Sequence, residues 1–183
     1  MQSFQFNSSY LFSDAFFFKA MILINLIALF ILIIIPEKYS LLIKQLSLIF
    51  SLKLFLVSFL VYGIHFLILS ENNSQTNLSN ALQIVTVIEI YNNKVAFCVD
   101  NISLLLIVLT TFVNFVCIAI SLELPKFKLF SLCFFIMSLL LFIVWTTFDI
   151  FIFYIFFESV LIPMFVVINF WGSRARKIRA AYM

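Results

Sequence analysis

The sequence predicts an all-α membrane protein of about five transmembrane helices, with a small β-hairpin in the loop between helices 2 and 3. Three observations support this fold class. Of the 183 residues, 65% are hydrophobic and only 10% are charged, and the mean hydropathy is +1.22. Soluble domains contain about 45–50% apolar and about 25% charged residues, so the composition excludes that class. The apolar residues also form stretches of about 20, the length that a helix needs to cross a bilayer.

Five stretches are long enough to span. They cover residues 16–35, 46–69, 102–122, 129–146 and 149–171. The first stops at Pro36 and the third stops before Pro125, because proline cannot continue a helix. We expect residues 1–183 to form a single membrane domain.

The hairpin is predicted over residues 82–98. Residues 82–90 are rich in β-branched side chains, and Asn92 and Asn93 accept the left-handed backbone of a tight turn. Residues 95–98 then return as the second strand. The hairpin is expected to lie outside the bilayer, and two such strands are too short to form an independent domain.

Basic residues predict the orientation, because they concentrate in loops on the cytoplasmic or matrix side. The loops on one side hold Lys38, Lys44, Lys126, Lys128, Arg174, Arg176, Lys177 and Arg179. Lys94 alone lies in a loop on the opposite side, with Lys19 near the first span. The N-terminus and the hairpin are therefore expected to face away from the cytoplasm or matrix. The run from Arg174 to Arg179 is interpreted as an orientation anchor, with anionic lipid head groups such as cardiolipin as an additional contact.

The amino-acid usage indicates an AT-rich genome of the organelle kind. Phe occurs 26 times and Gly only twice, whereas a lipid environment alone would keep glycine for close helix packing. The first 18 residues contain no Lys or Arg but do contain Asp14, unlike a basic targeting presequence. We therefore expect an organelle-encoded protein.

Glu158 is the main candidate for chemistry. It lies nine residues after Asp149, about 13 Å into the bilayer at about 1.5 Å per residue. A carboxylate at that depth costs at least ~2.5 kcal/mol, so it normally faces a wet cavity or a partner. Low dielectric disfavours its charged form and a nearby cation favours it, which suits a group that loads and releases a proton. A structural acid bonded to neighbouring helices is the alternative.

Two neighbours of Glu158 along the chain are weaker candidates. Pro163 cannot donate to the carbonyl of Ser159, so it predicts a kink one turn beyond the acid. Asp149, in the first turn of the same helix, either complements the helix dipole or takes part where protons enter.

No cofactor or metal site is expected in this chain. Cys98, Cys117 and Cys133 show no metal-ligand spacing, and His65 is the single histidine. There is no glycine-rich phosphate loop, and no pattern indicates a nucleic-acid partner.

Two segments resemble a known family. The sequence FYIFFESVLIPM at 153–164 and the Trp171-Gly172 pair resemble subunit 4 of NADH dehydrogenase (ubiquinone), an antiporter-like, proton-pumping subunit of mitochondrial respiratory complex I. The sequence FCVDNISLL at 97–105 is similar to that family's start of transmembrane helix 3, although Asn101 stands where the family has glycine. The segment ending at Tyr182 resembles the approach to the sixth helix.

The resemblance implies that this chain is an N-terminal fragment of the subunit 4 module, located in the inner mitochondrial membrane with its N-terminus facing the intermembrane space. Glu158 takes the place of the family's proton-translocating glutamate, which pairs with a lysine on the seventh helix. NADH, flavin, iron–sulfur clusters and ubiquinone would belong to other subunits, so this chain would be a non-redox part of the enzyme. The expected partners are other membrane-arm subunits, lipids and a separate chain that carries the remaining helices.

Other interpretations stay open. The fragment could be a stub that has lost pumping, or a non-conducting scaffold in the same complex; a lysine from a neighbouring chain beside Glu158 would exclude both. It could also belong to a cation/proton antiporter, which shares the glutamate motif. Purification together with redox subunits would distinguish complex I from the antiporter.

Overall fold

A computed structural model describes residues 8–71, 83–90, 93–99 and 101–171 of the chain. The helices are α1 (Ser8–Ile34), α2 (Ser40–Glu71), α3 (Asn101–Ile120), α4 (Phe127–Thr146) and α5 (Ile150–Trp171). Short 3-10 turns at Glu37–Tyr39 and Ser121–Glu123 lie in the connections after α1 and α3.

The prediction of about five spanning helices is corrected to four in the described part of the chain. The segments long and apolar enough to cross a membrane are Glu37–Ile64, Ile102–Glu123, Phe127–Thr146 and Ile150–Trp171. In α1, the apolar segment found among the residues whose side chains the structure describes is Lys19–Ile34, and this segment by itself is shorter than the ~17–25 residues of a spanning helix.

Residues between α2 and α3 include two antiparallel strands, β1 (Gln83–Ile90) and β2 (Asn93–Val99). Their pairing runs from Ile90 opposite Asn93 to Gln83 opposite Val99, with an irregularity between Ile84 and Thr86. These bounds replace the predicted range of 82–98, and residues 91–92 lie outside the described residues. A backbone bridge between Phe97 and Thr147 places the strand pair at the α4–α5 end of the bundle.

The bundle core is lined by small polar and apolar side chains at helical spacing. On α3, the buried residues recur every three or four positions, which is typical of helices that pack at a shallow angle. They are Leu104, Ile107, Thr111, Asn114 and Ile118, and Ser121 in the following 3-10 turn continues the spacing; Ser103 is buried as well. On α2, the buried serines are Ser47, Ser51 and Ser58. Small side chains of this kind allow membrane helices to approach closely.

Three contacts bring the other ends of the helices together. The ammonium of Lys128, at the start of α4, donates to the carbonyls of Ile33 and Ile35 at 3.1 and 2.7 Å. The indole N–H of Trp171, at the end of α5, donates to the carbonyl of Pro125 at 2.9 Å. The end of α1, the α3–α4 connection and the end of α5 therefore meet on the side opposite the strand pair.

Candidate functional site on the fifth helix

Helix α5 places Glu158 in the middle of a helix that the rest of the chain barely covers. Only 6% of the most apolar part of α5 is buried inside the chain, against 44% for α4. Glu158 is exposed, and the apolar side chains around it are exposed as well. These are Ile155 at 44%, Phe157 at 53%, Leu161 at 53% and Ile162 at 67%. The carboxylate thus projects from an apolar helix surface about 12 Å from the first residue of α5.

Pro163 lies five positions beyond Glu158 and is the buried residue of α5. The helix continues through it to Trp171, although proline leaves the carbonyl of Ser159 without its usual N–H donor. The hydroxyl of Ser159 turns the other way and donates to the carbonyl of Ile155 at 2.7 Å. A polar backbone group therefore lies one residue from Glu158, where water or another side chain can bond to it.

Asp149 caps the first turn of α5. Its carboxylate accepts a hydrogen bond from the backbone N–H of Phe151 at 2.9 Å, and its carbonyl accepts one from Phe153 at 2.9 Å. This is the usual bonding of an N-terminal cap, and a negative charge there also complements the helix dipole. The geometry accounts for Asp149 as a cap, and its part in proton uptake stays a prediction.

The basic residues predicted to set the orientation lie partly inside and partly outside the described residues. Arg174, Arg176, Lys177 and Arg179 lie outside the described residues. Of the lysines at the same end of the bundle, Lys128 bonds the end of α1. Lys126 lies over the ring of Phe170, with its nitrogen 5.2 Å from the ring centroid. That contact, together with the edge of Phe130 against Trp171 at 5.2 Å between centroids, fixes the end of α5.

No metal centre is formed within the described part of the chain, where no three His, Cys, Asp or Glu side chains gather. Cys133 is buried and Cys117 is half-buried, and both are free thiols. The side chains of Cys98 and His65 fall outside those described.

The sequence interpretation missed a group of polar residues inside the bundle. Asn25 on α1 donates through its side-chain amide to the hydroxyl of Ser138 on α4 at 2.7 Å. Ser58 on α2 and Thr111 on α3 share a hydrogen bond of 2.7 Å between their hydroxyls. Asn114, one turn along from Thr111, is also buried. The sequence did contain a signal for this group. Each of these polar residues interrupts an otherwise apolar stretch, and it does so at the spacing of the buried positions.

Comparison with known proteins gives the chain clear relatives. It is 41% identical over 152 residues to NADH-ubiquinone oxidoreductase chain 4 of Acanthamoeba castellanii, covering 80% of this chain and 29% of the relative. It is 37% identical over 166 residues to the protein of that name from Marchantia polymorpha, covering 90% and 32%. The Chondrus crispus protein is 38% identical over 159 residues, covering 86% and 31%. The chain thus spans about a third of the length of these relatives, and no family model matches it.

Proposed function

We propose, from the premise that this chain is homologous to part of NADH-ubiquinone oxidoreductase chain 4, that it carries one proton-transferring step of that enzyme. The step would move a proton across the inner mitochondrial membrane while NADH oxidation and quinone reduction occur in other subunits. Glu158 is the group that binds and releases the proton. In this role the chain is a non-redox subunit, with its N-terminus facing the intermembrane space and its C-terminus facing the matrix.

The exposure of Glu158 on α5 carries this proposal. An ionisable side chain within the membrane normally faces the interior of a bundle or a wet cavity, because lipid offers it no hydrogen bonds. In this chain Glu158 faces neither, since α5 is almost uncovered. We therefore infer that further helices pack on this surface and provide a cation or water for the carboxylate.

The chemistry of the covering helices follows from that of Glu158. A basic side chain, such as a lysine, would stabilise the charged carboxylate in low dielectric, and its movement or neutralisation would favour the protonated form. That alternation is what a proton-loading site requires. The free carbonyl of Ser159 beside it offers a bond to a water that would carry the proton. We propose that these helices are of the kind found in the rest of a chain-4-type subunit, and that other membrane-arm subunits and lipids surround them.

The test is the number of protons translocated per electron pair in the intact complex. Glu158→Gln keeps the shape of the side chain and removes its titration, so we expect fewer protons per electron pair while the complex still assembles. Glu123→Gln is the matched control, because Glu123 is an exposed acid in the 3-10 turn after α3. Its proton count should equal that of the unmodified complex.

An unchanged proton count in Glu158→Gln would contradict the role of Glu158. The chain would then be a scaffold that holds neighbouring helices through the apolar surface of α5. A loss of assembled complex in Glu158→Gln, with normal assembly in Glu123→Gln, would show a structural acid instead.

A further inference from the structure

Asn114 is a buried polar residue whose side-chain amide has no hydrogen-bond partner among the described residues. It is 4% exposed, and neither its amide nitrogen nor its amide oxygen has a hydrogen-bond partner in the part of the chain that the structure describes. An amide side chain offers two N–H donors and an acceptor oxygen. Leaving these groups unbonded in an apolar interior costs about 1–3 kcal/mol by mutational measures.

A second polar pair lies one helical turn away. Thr111 and Asn114 are three residues apart on α3 and are both buried. Thr111 shares the 2.7 Å hydrogen bond with Ser58 of α2. Both hydroxyls also lie within bonding distance of carbonyls on their own helices, those of Val108 and Phe55. The pair has only two hydroxyl protons, so they cannot fill all three of these bonds. At least one hydroxyl oxygen can still accept a hydrogen bond from another donor.

The spacing between these groups suits a single intervening molecule. Side chains three residues apart on a helix have Cβ atoms about 5–6 Å apart. One water oxygen that makes two hydrogen bonds of about 2.8 Å each can connect polar groups separated by about 5 Å. A neighbouring subunit cannot reach the site, because the side chain of Asn114 is enclosed within the bundle. The molecule must therefore be small.

We propose that Asn114 holds an ordered water that joins its amide to the Ser58–Thr111 hydroxyl pair. The water accepts from the amide N–H of Asn114 and donates to the hydroxyl of Thr111, the member of the pair that lies on the same helix. Buried waters typically make about three such bonds to groups that are otherwise unsatisfied. Because Thr111 lies near the middle of α3, this is a hydration site deep within the membrane. It is separate from Glu158 and does not depend on the proposed function.

The test is a density map of the intact complex at a resolution that resolves ordered waters. We expect a water peak within about 3.2 Å of the Asn114 amide and of the Thr111 hydroxyl. An empty site would overturn the inference, as would a protein or lipid group in direct contact with the Asn114 amide.

Two threonine variants sharpen this test. Thr111→Val keeps the side-chain shape and removes one hydroxyl, so the bridging peak should be lost. Thr110→Val is the matched control, because Thr110 donates to the carbonyl of Ile107 at 2.8 Å and is only half-buried; the water should persist in it. A peak that survives Thr111→Val unchanged would contradict the bridge. If Thr111→Val fails to assemble, the map of the unmodified complex still decides the question.

Discussion

Lys128 acts as a cap for a helix that is distant in sequence. Its ammonium donates to two carbonyls at the end of α1, that of Ile33 in the last turn and that of Ile35 directly after the helix. Such carbonyls have no donor within their own helix. A cation also complements the negative end of the helix dipole. One side chain therefore ties α4 to α1 and satisfies the end of α1.

Replacing Lys128 tests this cap. We expect Lys128→Met to lower the free energy of unfolding by on the order of 1 kcal/mol, because two charge-assisted bonds are lost. Lys128→Arg keeps the charge and the donors, so it should recover most of the stability. Thermal unfolding of the purified complex measures both, and equal stability of Lys128→Met and the unmodified protein would contradict the cap.

Lys126 has a left-handed backbone, with φ of 57°. That conformation costs a residue other than glycine about 1–2 kcal/mol. Lys126→Gly removes this strain but also removes the contact with Phe170, which is worth about 0.5–1 kcal/mol. The free energy of unfolding of Lys126→Gly should therefore change by between about zero and an increase of about 1.5 kcal/mol.

Lys126→Val provides the contrast. A β-branched side chain makes the left-handed backbone worse and also loses the ring contact. We expect it to be less stable than Lys126→Gly by more than about 1 kcal/mol in the same unfolding measurement. Equal stability of the two variants would show that the backbone at residue 126 is not strained.

At the level of the helices, the hydrogen bond from Asn25 to Ser138 is a specific link between α1 and α4. Both residues are buried, and the amide oxygen of Asn25 already lacks a partner within the described residues. Removing the serine hydroxyl would leave the whole amide unbonded. The pair therefore fixes the register of α1 against α4. The destabilisation caused by replacing one partner can be relieved only by also replacing the other.

A double-mutant cycle measures that link. Ser138→Ala should destabilise by about 1–3 kcal/mol, because it leaves a buried donor unsatisfied. Asn25→Leu combined with Ser138→Ala should recover part of the loss. The coupling energy should fall near the ~0.6–1.7 kcal/mol found for bonds between membrane helices. Additive effects of the two changes, measured by unfolding in detergent, would contradict the contact.

Sequence patterns predicted the helices but not the contacts between them. The stretches around Leu104 and Phe142 are apolar over a bilayer-length window, so composition alone predicts helices there. The pairing of Asn25 with Ser138 joins positions 113 apart, and it depends on how two helices are rotated and aligned. Hydropathy does not contain that information. Glu158 was recognised because a charge in an apolar stretch needs a reason, whereas Asn114 is uncharged and was overlooked.

At the scale of the whole molecule, the helices of the bundle are buried to different extents by the rest of the chain. Helices α1 to α4 bury one another through small side chains, whereas α5 contacts α4 along one side and leaves its remaining surface exposed. An intramembrane acid on that surface is costly in lipid. The proposed role of Glu158 therefore requires that protein, and not lipid, covers α5 in the assembled complex.

Spin labels on α5 test this coverage. A nitroxide at Ile162→Cys or Ile155→Cys reports contact with lipid through its accessibility to dissolved oxygen. Both positions are exposed in this chain, at 67% and 44%. We expect low accessibility at both in the intact complex, because neighbouring helices cover them. High accessibility at both would show that α5 faces lipid.

The most direct measurement of the central claim is the structure of the native membrane complex around the Glu158 carboxylate. The account predicts a basic side chain within about 4 Å, the distance of an ion pair, or a water chain that leads to one. The covering helices would carry it. A carboxylate surrounded only by lipid or apolar side chains would contradict the account, and Glu158 would not be a proton-transferring residue.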